Sequence, residues 1–191
     1  MIQLIGIQVA AGVLGDLATS LATIFHVECR VRPDRLDVAI ARDRLRNQFY
    51  STAILQLMQP LAREDMRLLA VTSLDLYVPV LTFVFGEAQL QGACALVSTH
   101  RLREEFYGLP PRADLLRERL LKEAVHELGH TFGLRHCDDW ECVMTSSHAV
   151  ERLDVKGAGF CSGCWQHVAQ ALLPPPCPSS IGLRHNERQP V

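Results

Sequence analysis

The chain has 191 residues, enough for one domain with a sizeable core. Hydrophobic residues make up 48% and charged residues 21%, the balance of a soluble globular protein and not of a disordered or membrane-embedded one. A formal net charge of −2 leaves no electrostatic footprint for nucleic acid or an anionic membrane surface. Lys122 and Lys156 are the only lysines beside many arginines, read as a bias of the genome before one of function.

In chain order, Ile2–Val9 reads as a buried first strand. The apolar start MIQLIGIQVAAGVLGDL resembles an export signal, but no Lys or Arg precedes it and glutamines interrupt it. It is also too short to span a bilayer. Leu14–Phe25 reads as a helix, His26–Val31 as a second strand, and Arg32-Pro33-Asp34 as a break. Leu45, Tyr50, Ile54, Leu57 and Leu61 have helical spacing, which predicts a long amphipathic helix from Ala41 to about Met58. Arg67–Thr72, Leu81–Phe85 and Cys94–Ser98 read as three further strands, with Gly86 and Gly92 flanking the turn between the last two. Pro110-Pro111 and Asp114 read as a break and N-cap for a helix from about Leu115 to Phe132, with Leu115, Leu116, Leu120, Ala124 and Leu128 as its apolar stripe. A last helix spans about Trp165–Leu173, and Pro174 opens a Pro-rich tail, 174–191, with little to bury. Strands that alternate with helices and then run together predict a mixed sheet carrying helices, an α+β fold.

The helix over residues 115–132 carries the chemistry. His126-Glu127-Leu128-Gly129-His130 is H-E-x-x-H, and Gly133 and His136 extend it to H-E-x-x-H-x-x-G-x-x-H. Chance places the full pattern in roughly one such chain in twenty thousand. Residues four apart lie one turn apart on one helix face, so His126 and His130 can grip one ion. Glu127 sits where it can reach a metal-bound water. Gly133 permits the turn that ends the helix and lets His136 return as a third ligand. Three protein ligands leave a fourth position for water, the mark of a catalytic zinc site.

A second set follows at once: Cys137, Cys142, and the C-x-x-C pair Cys161 and Cys164. Four thiolates in two pairs fit a closed, structural zinc site. Two disulfides and a redox-active C-x-x-C are the alternatives; the first needs an oxidising compartment, and the second usually follows a strand in a βαβ pattern that is missing here. Cys29 and Cys94 lie in apolar runs as small hydrophobes, and Cys177 has no assigned role. His100, His148 and His167 are read as bystanders, and Asp138 and Asp139 as a solvated turn.

The signature HELGHTFGLRHCDDWECVM, followed after sixteen residues by CSGC, resembles the metzincin clan of zinc peptidases, and within it the archaemetzincins. The likeness extends more softly to Val71–Ala88 and Leu96–Leu102 and covers most of residues 1–170. It implies a metzincin-like single domain, residues 1–173. Its mixed twisted sheet has about five strands, its active-site helix ends an upper part (1–133), and a small C-terminal subdomain (134–173) lies below. It implies catalytic zinc ligation by His126, His130 and His136, a general-base role for Glu127, a Met-turn at Met144, and a second zinc on Cys137, Cys142, Cys161 and Cys164. No tyrosine follows Met144 closely; Thr145 and Ser146 stand there instead.

The expected activity is zinc-dependent hydrolysis of peptide bonds, with two Zn²⁺ per chain, a peptide or protein substrate, and no nucleic-acid or membrane partner. The strand Cys94–Ser98 is a candidate cleft edge for an extended substrate, with an ordinary sheet strand as the alternative. Reduced thiolates and the absence of an export signal point to the cytoplasm. Two other classes remain in view: a catalytically silent, zinc-stabilised peptide-binding protein, which the intact Glu127 argues against, and a zinc endoribonuclease, which Glu127 and the neutral charge argue against. Nothing in the sequence sets the oligomeric state or separates endopeptidase from aminopeptidase. A propeptide is not visible, and the tail 174–191 is read as a solvated tail, with a restraint on the cleft as the alternative.

Overall fold

The computed structural model describes residues 1–63 and 65–173; the tail 174–191, with Cys177, lies outside the described residues. Strand β1 (Ile2–Ile7), helix α1 (Ala11–Phe25) and strand β2 (Cys29–Val31) come first, then β3 (Arg42–Asp43), β4 (Gln48–Tyr50) and α2 (Ser51–Met58). After them come β5 (Arg67–Thr72), β6 (Leu76–Tyr77), β7 (Gly86–Ala88) and β8 (Cys94–Ser98). The long helix α3 (Ala113–Thr131) follows, then α4 (Val150–Val155) and α5 (Ser162–Leu172).

The α+β class read from the sequence is found. The main sheet has five strands in the order β2-β1-β5-β8-β7, and a small sheet has the order β3-β4-β6. In the main sheet β1, β2, β5 and β8 run parallel, and β7 alone is antiparallel, pairing Gly86 with Val97 and Ala88 with Ala95. Strands covered on both faces read as continuous apolar runs, and the residues of β5 and β8 alternate between two cores. Leu69, Val71, Ala95 and Val97 pack with Leu17 and Leu21 of α1 and Leu120, Ala124 and Leu128 of α3. Leu68, Ala70, Cys94 and Leu96 pack against Ile54, Leu55 and Met58 of α2. Cys94 is fully buried and Cys29 half-buried; burial raises both thiols, Cys29 to about 11, so neither is a ready nucleophile.

Three expectations need correction. The long helix from Ala41 is only Ser51–Met58. Upstream, Arg42 and Asp43 pair antiparallel with Phe49 and Gln48. The Asp43 carboxylate accepts the N–H groups of Leu45 (2.9 Å) and Arg46 (3.1 Å), and Asn47 takes a left-handed conformation at φ 54°. Side-chain competition of this kind closes a turn where apolar spacing suggested a helix; Leu45, counted in that stripe, is 99% exposed. Second, Leu81–Phe85 is not a regular strand: Val84 makes one isolated bridge with Leu76 while Leu81–Phe85 lines a cleft, and the strand begins at Gly86. Third, α3 has no side-chain cap; Asp114 sits in its first turn, paired with Arg112. Helix α4 had no expectation attached to it.

Helix α3 is unusual in burying charge. Arg119 makes a two-pronged contact with Asp154 (2.6 and 2.7 Å), reaches Glu104 (2.7 Å) and donates to the Leu102 carbonyl (2.9 Å). Lys122 Nζ donates to the carbonyls of Leu153 and Asp154, both at 3.1 Å. Lys156 Nζ meets Glu123 at 3.5 Å and donates to the Thr145 carbonyl at 3.1 Å. Both lysines of the chain therefore fasten the segment around α4 to α3. A buried cation removed from such a set strands its partners. Arg119→Met should lower unfolding stability by about 3 kcal/mol in urea titrations, whereas Arg112→Met, at an exposed pair, should leave the midpoint unchanged; equal midpoints for Arg119→Met and the natural chain would contradict this.

Candidate active site

Helix α3 delivers His126, Glu127 and His130 to one face over the cleft, with His126 and Glu127 each 6% exposed. The helix stops at Thr131 because Gly133 adopts φ 94°. The Gly133 N–H then returns to the His130 carbonyl (2.9 Å) and the Leu134 N–H to that of Gly129 (3.1 Å). The reversal brings the His136 ring to 5.3 Å from that of His126 and 5.2 Å from that of His130.

Each helical imidazole is fixed by its inner nitrogen. His126 Nδ1 meets the Val143 carbonyl and His130 Nδ1 the Leu134 carbonyl, both at 2.8 Å. A carbonyl can only accept, so each Nδ1 carries the proton and each Nε2 is a bare lone pair. Those two Nε2 atoms lie 3.2 Å apart. Two acceptors held face to face repel unless a cation lies between them, which is the donor chemistry of a metal site. One nitrogen from each of the three histidines falls within 4.8 Å of the others. Burial lowers the pKa of all three imidazoles, keeping them in the neutral form a metal needs.

Glu127 stands beside them. Its pKa is raised well above the ordinary carboxylate value, first by burial and then by Glu123 and Glu87. Glu123, one turn earlier, is also raised by burial, against the pull of Lys156. The Glu87 carboxylate accepts hydrogen bonds from Ser51 and from Thr52 (2.7 Å) at the start of α2. A cleft of about 700 Å³ runs past these groups. Leu81–Ala88 forms one wall, and Arg135, His136 and Ser146–His148 form the other.

The cleft edge differs from the expectation. Strand β8 lies inside the sheet between β5 and β7, so β7 is the edge. Met144 is fully buried, and its sulfur packs on Gly129 of the histidine helix. His148 does line the cleft, while His100 Nδ1 contacts the Ser73 carbonyl (3.2 Å) and His167 donates to that of Phe132 (3.1 Å). Asp138 and Asp139 are exposed, and Asp139 caps the N–H of Glu141 (3.1 Å). Sequence reasoning missed Glu123, although its place one turn before Glu127 on the same helix face was a usable signal. It also missed Glu87 and Gly86, whose proximity depends on sheet pairing.

The cysteines converge on their own centre. The sulfurs of Cys137, Cys142, Cys161 and Cys164 all lie within 4.8 Å of one another, and all four are free thiols. Cys137 and Cys161 are 3.9 Å apart, too far for a disulfide and close to the edge of a tetrahedron with metal–sulfur bonds of about 2.3 Å. Cys161 stands at the N-cap of α5, where the Cys164 N–H favours its thiolate.

A helix bearing two carbonyl-anchored imidazoles and a buried glutamate, with a third imidazole returned by a glycine turn, is the frame of a zinc-dependent hydrolase. Residues 46–170 match Peptidase family M54. The chain belongs to that family and is a zinc metallopeptidase of the archaemetzincin type. The archaemetzincin of Methanocaldococcus jannaschii is 47% identical over 137 residues, covering 71% of this chain and 74% of that protein. The crystal structure of the Archaeoglobus fulgidus archaemetzincin, complexed with malonate, is similar at TM-score 0.76 and 38% identity, covering 87% of this chain and 98% of that one. A zinc-dependent peptidase from Methanocorpusculum labreanum is similar at TM-score 0.79 and 30% identity, covering 88% and 100%.

Proposed function

We propose that the chain hydrolyses peptide bonds at the three-histidine centre, with Glu127 as general base, and that the four cysteines hold a second, structural zinc. The observation that carries the first part is the pair of bare Nε2 atoms 3.2 Å apart, with Glu127 beside them at the cleft. When held by His126, His130 and His136, zinc supplies Lewis acidity that acidifies a water and polarises the scissile carbonyl. Glu127 takes the proton from that water and passes it to the leaving amine. The three imidazoles are taken up as zinc ligands, which leaves the Glu127 carboxylate as the proton acceptor at the site.

The substrate is an extended peptide that adds to the free edge of β7, making main-chain hydrogen bonds there while its side chains meet Leu81–Phe85 and Ser146–His148. Free thiols clustered as a metal site support a reducing compartment, the cytoplasm, as its place of action. Among the described residues no helix is long and apolar enough to cross a membrane. The described domain works as an upper part, 1–133, and a lower part, 134–173, meeting at the cleft.

A peptide-library digest comparing the natural chain with Glu127→Ala tests the catalytic reading. The variant should lose at least about a hundredfold in turnover while keeping its zinc and its melting temperature; undiminished turnover would overturn the assignment.

The reconstituted protein should carry two zinc ions at neutral pH. Burial lowers the three imidazole pKa values, so protons displace the metal only in acid, below about pH 6. One ion should leave in that range, together with activity. Metal analysis during a pH titration should show the step from two to one, and a single equivalent at neutral pH would contradict the second site.

A further inference from the structure

The Glu127 side chain is buried, only 6% exposed, beside the cleft. Its placement depends on packing, and the surface it packs against is the backbone of the cleft-edge strand. A Cβ at Gly86 would lie 2.7 Å from Glu127 Cγ and 2.8 Å from its Oε1. The same Cβ would lie 2.7 Å from the Leu96 carbonyl oxygen, so it could not turn away toward β8. Separations below about 3 Å between such atoms are repulsive and force one partner to move. The carboxylate end of a glutamate is the part free to move. Gly86 has no positive φ to explain its presence; what its position requires is the absence of a side chain.

We infer that Gly86 is a positioning residue for the reaction: by presenting bare backbone to Glu127, β7 seats the general base against the strand that receives the substrate. The inference rests on the reading of Glu127 as the base. One strand thereby fixes two reacting partners. Its backbone edge sets where the peptide lies, and its missing side chain sets where the carboxylate lies. A misplacement of about 1 Å in a catalytic group can cost on the order of a hundredfold in rate, so a methyl group here acts far beyond its size.

The test is a double-mutant cycle on the zinc-loaded full chain, using Gly86→Ala and Glu127→Ala, read by kcat, KM, zinc content and melting temperature. Gly86→Ala should lower kcat by about a hundredfold with KM within about threefold and zinc retained. In the Glu127→Ala background, where the Cγ and carboxylate that meet the methyl are gone and only the Leu96 carbonyl contact remains, the same alanine should cost less than about threefold of the residual rate, a strong coupling between the two positions. Full additivity would overturn the proposal. So would natural kcat in Gly86→Ala, or loss of zinc or of the folded state in that variant, which would make Gly86 a residue of the sheet alone. Natural turnover in Glu127→Ala would instead sink the general-base reading itself.

Discussion

The hydrogen bond from His126 Nδ1 to the Val143 carbonyl, 2.8 Å long and buried, ties the two halves of the site together. Its donor belongs to α3 and its acceptor to the run Cys142-Val143-Met144, so one contact sets the tautomer of a histidine and the position of the segment beneath it. The neighbouring carbonyls are also spoken for. That of Met144 accepts the N–H of Cys137 (3.1 Å), and that of Thr145 accepts Lys156 Nζ (3.1 Å). Cys137 directly follows His136, and Cys142 directly precedes Val143. The cysteine centre and the histidine centre therefore share their backbone, and order in the first is passed to the second through covalent neighbours.

Helix α3 can bury Arg119, Lys122 and Glu123 because segments before and after it answer these charges. Arg119 takes Asp154 and Glu104, Lys122 takes the closing carbonyls of α4, and Glu123 takes Lys156. Such groups contribute less to net stability than their geometry suggests, because each was first removed from water. Their effect is registry: α4 and the segment after Met144 can dock on α3 in one position only. That position leaves Ser146–His148 as a wall of the cleft opposite Leu81–Ala88.

Much of the scaffold was legible one strand at a time. Arg67–Thr72 and Cys94–Ser98 read correctly to the residue, because strands buried on both faces leave an apolar run bounded by polar breaks. The false helix over residues 41–50 came from apolar spacing that ignored Asp43 and Asn47, whose short polar side chains satisfy or tolerate turn backbone. The apolar run Leu81–Phe85 was mistaken for a strand because a cleft wall and a buried strand have the same composition.

By itself the sequence determined the histidine pair and the glutamate between them, since four-residue spacing on a helix is a local fact that needs no partner. It also determined the third histidine's return, since a glycine turn is local too, and the family, since its motif is dense and contiguous. Only the tertiary structure decided that β7 and not β8 borders the cleft and that Glu123 faces Lys156. Sheet order, crossovers and the docking of α4 join residues far apart in the chain. Their closeness is the outcome of packing two cores at once, a constraint that no short window of sequence contains.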